Sequence, residues 1–293
     1  MKENAVSIIE EKPIPEEIEA LPKIEEEVKV EEEVKVEEER FGSTFNRESW
    51  KPKTGIGKKI KANEITNIDQ ILDSGLPLME AEIVDALMPG LDSDLLLIGQ
   101  SKGKFGGGQR RVFKQTQKKT MEGNKPHFST VCVIGDHDGH VGLGSGRSKE
   151  TVPAREKAIR NAKLHMIKLR RGCGSWECGC KQPHSIPFAV EGRCGSVRIS
   201  LFPAPRGTGL KIERECAKIL RIAGIEDVAS ETRGQTNTKV NLIEACFLAL
   251  KRLISTKVSG EQKERLSILE GSKDNAADAH RGLANAAGEA RHG

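Results

Sequence analysis

Residues Glu25 to Glu39 read EEEVKVEEEVKVEEE, a repeat of period six. Six fits neither a helical nor a heptad period, and the valines are too few to bury a core. Residues 1–44 are therefore expected to form a disordered acidic tail. Whatever folds must be built from the rest of the 293 residues, a length that allows one or two domains.

The same repeat divides the charge. Residues 1–40 hold 15 Glu against 6 Lys or Arg, residues 256–293 balance at six bases and six acids, and the whole chain is +4. An excess of +13 thus falls on residues 41–255. A solubilising surface would interleave both signs, whereas one sign on one region suits a polyanion such as RNA or DNA. No run of about eighteen apolar residues is present, and the acidic start lacks a secretory pattern. The expectation is a cytoplasmic protein with no membrane partner, whose seven cysteines act as thiols or metal ligands rather than disulfides.

Between the tails, hydrophobic periodicity outlines two units. Asn67–Leu87 reads as short helices broken at Gly75-Leu76-Pro77. Asp94–Lys102, Arg111–Gln117 and Phe128–Asp136 read as three strands. The glycine-rich stretch HDGHVGLGSGRS reads as a loop before a helix with Pro153 near its start. Ala154, Ala158, Ala162, Met166 and Leu169 then form one apolar stripe. The order is helix, three strands, helix. Beyond it, strands at Ser185–Gly192 and Ser196–Ala204, a helix ending at Gly224, a short strand from Asp227 to Glu231 and a helix over Thr238–Ser255 make a small α/β sandwich. Cys216 and Cys246 fall on apolar helix faces and are read as core. The fold class expected is α+β.

Several stretches carry binding chemistry. From Lys102 to Lys125 there are eight bases against one acid, Glu122. Glycines 106–108 let the backbone approach closely, and Lys102, Lys104, Gly106, Gly107, Gln109, Arg110, Arg111, Lys114, Lys118 and Lys119 are expected to lie on nucleic-acid phosphates. A P-loop is excluded because GxxxxGK[ST] is absent. In GDHDGHVGLGSGRS, Arg147 stands where the last glycine of a dinucleotide fingerprint belongs, so phosphate of nucleic acid is preferred to a mononucleotide. His140, Arg147, Lys149 and Arg155 join the expected RNA-binding set. The turn PAPRGTG offers Arg206, Gly207 and Thr208 to phosphate or to a neighbouring protein. No Ser, Cys and His are spaced as a nucleophilic triad, so no catalytic residue is expected. With no Tyr, eight Phe and two Trp, recognition should run through backbone and shape rather than an aromatic stacking sheet.

CGSWECGCKQPH, Cys173 to His184, gathers ligands of the types that structural zinc prefers. Cys173, Cys178, Cys180 and His184 are the candidate ligands, with Cys194 a possible substitute. Cys178 and Cys180 are too close in sequence for a C-x-x-C redox pair or an unstrained disulfide. The alternative is a glycine-rich loop of free thiols.

FSTVCVIGDHDGHVGLGSGRSKETVPAREKAIRNAK, then PHSIPFAVEGRCGSVRISLFPAPRGTG and AGIEDV, resemble the small-subunit ribosomal protein family numbered five in bacteria. Archaeal and eukaryotic members are numbered two, and WKPKTGIGKKI is similar to the lead-in of that branch. The resemblance implies a double-stranded-RNA-binding-like domain at 45–170, a cysteine-rich linker at 171–184, a β-α-β two-layer sandwich at 185–255 and an extension at 256–293. It implies that Lys102–Arg111 contacts small-subunit rRNA near the head–body junction. It also implies that Arg206–Gly209 lies beside the ribosomal protein numbered four, near the channel by which mRNA enters, where decoding accuracy is set. A free-standing double-stranded-RNA-binding regulator and a small-molecule kinase are the alternative functions.

Overall fold

The computed structural model describes residues 47, 49–101, 103 and 109–272. The expectations for the acidic tail, for Lys102, Lys104, Gly106 and Gly107, and for residues 273–293 lie outside the described residues. Three short helices come first: α1 (Gly55–Lys61), α2 (Ile68–Asp73) and α3 (Ala81–Leu87). The break between α2 and α3 is at Gly75, whose φ of +69° suits glycine.

Strands β1 (Asp92–Leu95), β2 (Lys114–Thr120), β3 (Gly123–Gly135), β4 (His140–Ser148) and β5 (Met166–Lys168) then form one antiparallel sheet, with helix α4 (Thr151–Leu164) between β4 and β5. The long β3 serves two partners on one edge. Its first half pairs with β2, from Thr120↔Gly123 to Lys114↔Ser129, and its end pairs with β1 at Asp92↔Gly135. The other edge is taken by β4 from Phe128↔Ser148 to Gly135↔Val141.

Strand β4 corrects the expectation of a loop at HDGHVGLGSGRS. A Cβ on Gly142 would lie 2.2 Å from the Ala162 carbonyl oxygen, on Gly144 2.1 Å from the Ala162 nitrogen, and on Gly146 2.0 Å from the Ala154 carbonyl oxygen. The alternate glycines are thus a strand face pressed against the alanine face of α4, where Ala154, Ala158 and Ala162 are fully buried. Met166 and Leu169 are buried too, but they follow the helix, which ends at Leu164.

The chain continues through β6 (Arg170–Arg171), β7 (Val190–Cys194), β8 (Val197–Pro203), β9 (Leu210–Lys211), α5 (Arg214–Ile222), β10 (Val228–Arg233) and α6 (Lys239–Ser255). The second sheet has the order β7-β8-β10-β9, with only the β10–β9 pair parallel. Helix α6 buries Leu242, Cys246, Ala249 and Leu253, and α5 buries Cys216, so both cysteines are core as expected. Leu96, just past β1, and Val131, Val133 and Val141 of the first sheet share one hydrophobic cluster with Ile186, Leu201, Ile219 and Ile225 of the second half. The fold is α+β.

Residues beyond Ser255 are more than an appendage. Helix α7 (Gly260–Arg265) starts at a capping box of Ser259 and Gln262, and β11 (Leu269–Glu270) pairs with β6 at Leu269↔Arg171. Arg170 binds Glu270 at 3.0 Å, and Arg171, only 2% exposed, donates to the Gly271 carbonyl at 3.1 Å.

Candidate nucleic-acid interface and metal centre

The cysteine segment closes on itself. Gly172 and Ser185 exchange backbone hydrogen bonds of 2.9 and 3.0 Å at its base, and the Cys173 N–H donates to the Leu266 carbonyl at 2.9 Å. Within this closure the thiols of Cys173, Cys178 and Cys180 and a ring nitrogen of His184 lie within 4.8 Å of one another. Cys180 Sγ is 3.7 Å from Cys173 Sγ, and Cys178 Sγ is 3.7 Å from His184 Nε2. A tetrahedral zinc with bonds of about 2.3 Å to sulfur and about 2.0 Å to nitrogen needs edges of about 3.8 and about 3.6 Å. These two edges match those of a closed structural site, and the four residues together could hold a metal ion.

Outer partners hold the ligands. His184 Nδ1 meets Asp227 Oδ2 at 2.8 Å, and the other Asp227 oxygen accepts from the Gly209 N–H at 2.8 Å. The Arg206 backbone N–H, hydrogen-bonded to the Cys178 sulfur, is the main cause that brings that thiol down to about 6, which favours the metal-binding thiolate. Burial and the neighbouring thiols push Cys173 up to about 11. Cys194 is not brought to this group. Its thiol donates to Glu244 at 3.1 Å, so His184 and not Cys194 stands with the three cysteines.

The basic stretch forms an arm. Both faces of the β2–β3 hairpin are exposed from Lys114 to Lys119 and from Gly123 to Pro126, with Met121 fully exposed at its tip. Lys114 and Lys118 share one face of β2, and Lys118 stands opposite Lys125 on β3. Like charges placed directly across two strands destabilise a hairpin unless an anion lies over them. Lys125 has Glu122 at 2.6 Å, whereas among the described residues no carboxylate pairs with Lys114, Lys118 or Lys119. Gln109 and Arg111 are exposed at the arm's base, while Arg110 is half-buried and donates to the Asn237 carbonyl at 3.4 Å.

Arg147 and Lys149 are exposed and gather with His127 and Lys157 around a shallow pocket at the start of α4. His127 and Lys157 had escaped notice. The β3–β4 register, Phe128↔Ser148 and Ser129↔Arg147, brings His127 beside Arg147, and Lys157 comes from the first turns of α4. Arg155 is half-buried. The expectation for His140 is corrected. It is 2% exposed, with Nδ1 on Asp136 at 2.6 Å and Nε2 on Asp69 at 2.7 Å, so neither ring nitrogen is available to RNA. In the PAPRGTG turn Arg206 and Gly207 are exposed, and the Thr208 hydroxyl donates within the turn to the Pro205 carbonyl at 2.8 Å.

The chain matches the family description "Ribosomal protein S5, N-terminal domain" over residues 108–170 and "Ribosomal protein S5, C-terminal domain" over 192–263. It is 49% identical over 213 residues to the small ribosomal subunit protein uS5 of Nanoarchaeum equitans, covering 73% of this chain and 91% of that protein. The uS5 proteins of Methanococcus maripaludis and Methanocaldococcus jannaschii are 45% and 44% identical over 227 residues, 78% of this chain and 93% and 98% of theirs. The chain belongs to the ribosomal protein S5 family. Members of the family are structural ribosomal proteins for which rRNA binding is general, and this chain is accordingly no enzyme. The N-terminal match takes in the arm, β3, β4 and α4, and the cysteine segment falls between the two matches. Among the described residues no helix is long and apolar enough to cross a membrane.

Proposed function

We propose that the chain is anchored in the small ribosomal subunit by the β2–β3 arm, which lies on rRNA phosphates through Lys114, Lys118, Lys119 and Arg111. The observation that carries this is the run Lys114, Lys118 and Lys119, with which no carboxylate among the described residues pairs, on an arm exposed on both sides. The resemblance stated above puts the neighbouring loop at Lys102–Arg111 near the head–body junction. The exposed turn at Arg206 and Gly207 faces the protein numbered four near the mRNA entrance, where the domain contributes to decoding accuracy. The protein works on cytoplasmic ribosomes. A Lys114→Gln/Lys118→Gln/Lys119→Gln variant of the full chain, titrated against small-subunit rRNA at several salt concentrations, tests the arm. At about 0.9 per phosphate contact the slope of log affinity on log salt should fall by about 3. An unchanged slope would take the arm out of the interface.

The same proposal places a structural zinc in Cys173, Cys178, Cys180 and His184, where it closes the segment against Leu266, Arg206 and Asp227. The spacing of the four atoms and the outer carboxylate on His184 support zinc over a loop of free thiols. Metal analysis of protein purified without added metal should give about one zinc per chain, and far less in Cys178→Ala.

A further inference from the structure

The seven cysteines differ sharply in what can reach them. Cys132, Cys216 and Cys246 are wholly buried, and the Cys194 thiol donates to the Glu244 carboxylate, which keeps it in the neutral form. The other three stand together in the segment closed by Gly172 and Ser185. That segment is open to water. Cys178 and Cys180 are half-buried, a Cβ on Gly179 between them would meet no described atom within 4 Å, and Trp176 in the turn before them is 92% exposed.

Thiolates rather than thiols react with peroxides, and a bound metal keeps its sulfur ligands as thiolates. Cys173 and Cys180 are the pair placed to join. Their sulfurs are 3.7 Å apart and the residues are seven positions apart in the chain, with glycines at 174 and 179 between them. A disulfide bond is about 2.05 Å long, so a shift of about 1.7 Å closes it. Cys178 is the poorer partner for Cys180. A single residue separates the two, too little chain for an unstrained bond, and the Cys178 sulfur is already held by the backbone N–H groups of Arg206 and Cys180.

We infer that the cysteine centre is an oxidation site for hydroperoxides, at which Cys173 and Cys180 join in a disulfide and the metal is expelled. This rests on the zinc reading above but concerns a reaction of the centre rather than its structural part. Cys180, the more exposed of the pair, takes the oxidant. The O–O bond of hydrogen peroxide breaks, an S–O bond forms on Cys180 as a sulfenic acid, and hydroxide leaves. The Cys173 thiolate attacks that sulfur, the S–S bond forms, the S–O bond breaks and a second hydroxide leaves. Two protons from solvent convert the hydroxides to water, so one peroxide is reduced to two waters as two thiolates lose two electrons. Cys178 and His184 are then left, half of a closed set of four, and zinc departs as the divalent ion. A dithiol returns the two electrons and readmits zinc, because the sulfur has stopped short of the irreversible sulfinic acid.

The test titrates the full chain with hydrogen peroxide in the presence of a coloured zinc chelator. Remaining thiols are then alkylated under denaturing conditions and mapped by mass spectrometry. The parent should release about one zinc per chain and become about 2 Da lighter before alkylation. Cys173 should be found joined to Cys180, with the other five cysteines alkylated, and dithiothreitol with zinc should restore the starting mass and metal content. Cys194→Ser, which removes a thiol outside the centre, should give the same result. A parent that keeps all seven thiols free, one in which a different pair is joined, or one that passes to sulfinic acid overturns the inference. Should the purified chain hold no zinc, the zinc reading fails by itself, and the thiol map still decides whether Cys173 and Cys180 join.

Discussion

Nδ1 of His184 lies 2.8 Å from Oδ2 of Asp227, forty-three residues away, and this contact leaves Nε2 turned toward the three thiols. The carboxylate fixes which ring nitrogen carries the proton, which a metal ligand requires. Asp227→Asn keeps the shape and removes the charge. Competition with a coloured zinc chelator should show an affinity lower by about 10- to 100-fold. Parental affinity would mean that His184 is not a ligand.

A different histidine sets the response to pH. Burial alone would pull His140 down from 6.5, but the carboxylates of Asp136 and Asp69 outweigh it and hold the imidazolium to about 9. The folded value is raised above the unfolded one, so this stabilisation is complete below about pH 6.5 and is lost as pH rises through about 9. For so buried a group the loss is on the order of 3 kcal/mol. His137, raised by its bond to Asp92, adds a smaller loss of the same sign. Denaturant melts of the parent should weaken between pH 6.5 and pH 9, and His140→Gln should be less stable at the acid end and flatter across the range. Parallel pH curves for the two proteins would rule out a charged His140.

The contact between β4 and α4 predicts intolerance to a single methyl group. A Cβ on Gly144 would sit 2.1 Å from the Ala162 nitrogen and 2.4 Å from the Ala158 carbonyl oxygen, both backbone atoms of a packed helix. Gly144→Ala should cost about 3 kcal/mol or more, seen in calorimetry as a Tm lower by about 10 °C. Gly260→Ala, at the start of α7 with no atom within 4 Å of the added carbon, should leave Tm unchanged or raise it slightly. Equal effects of the two substitutions would contradict the close strand–helix approach.

At the base of the arm, two adjacent arginines should behave differently. Arg111 is exposed, whereas Arg110 is half-buried with its guanidinium on the Asn237 carbonyl at 3.4 Å. In salt titrations against small-subunit rRNA, Arg111→Ala should lower the slope by about 1. Arg110→Ala should lower it less and should also reduce stability, by about 1 kcal/mol or less. The reverse order would place Arg110, not Arg111, on phosphate.

Elements set by local pattern were legible in the chain, and those set by distant partners were not. The faces of α5 and α6 could be read from spacing, and the grouping of Cys173, Cys178, Cys180 and His184 from their proximity in sequence. Strand β4 was misread because glycine is depleted from strands and marks turns, whereas here Gly142, Gly144 and Gly146 answer to Ala162, Ala158 and Ala154 across a packed interface. His140 looked like a turn residue because Asp69, its second partner, is seventy-one residues earlier. Helix α7, opened by the Ser259 and Gln262 capping box, was not read from the chain. Its neighbour β11 has meaning only beside Arg170 and Arg171.

Strand β3 has 13 residues, a span of about 44 Å at about 3.4 Å per residue. Its last residues, Cys132 to Gly135, are clamped between β1 and β4, and its first ones run out along the arm. Mechanically this is a cantilever with a gripped root and a free tip. A load applied at the tip cannot dissipate in a joint, because one continuous backbone carries it into Thr130–Ile134, whose side chains are entirely packed. Displacement of whatever the arm holds is therefore delivered to the root as strain in β4 and the helix pressed on it, and the lever arm sets how large a movement outside becomes how small a one within.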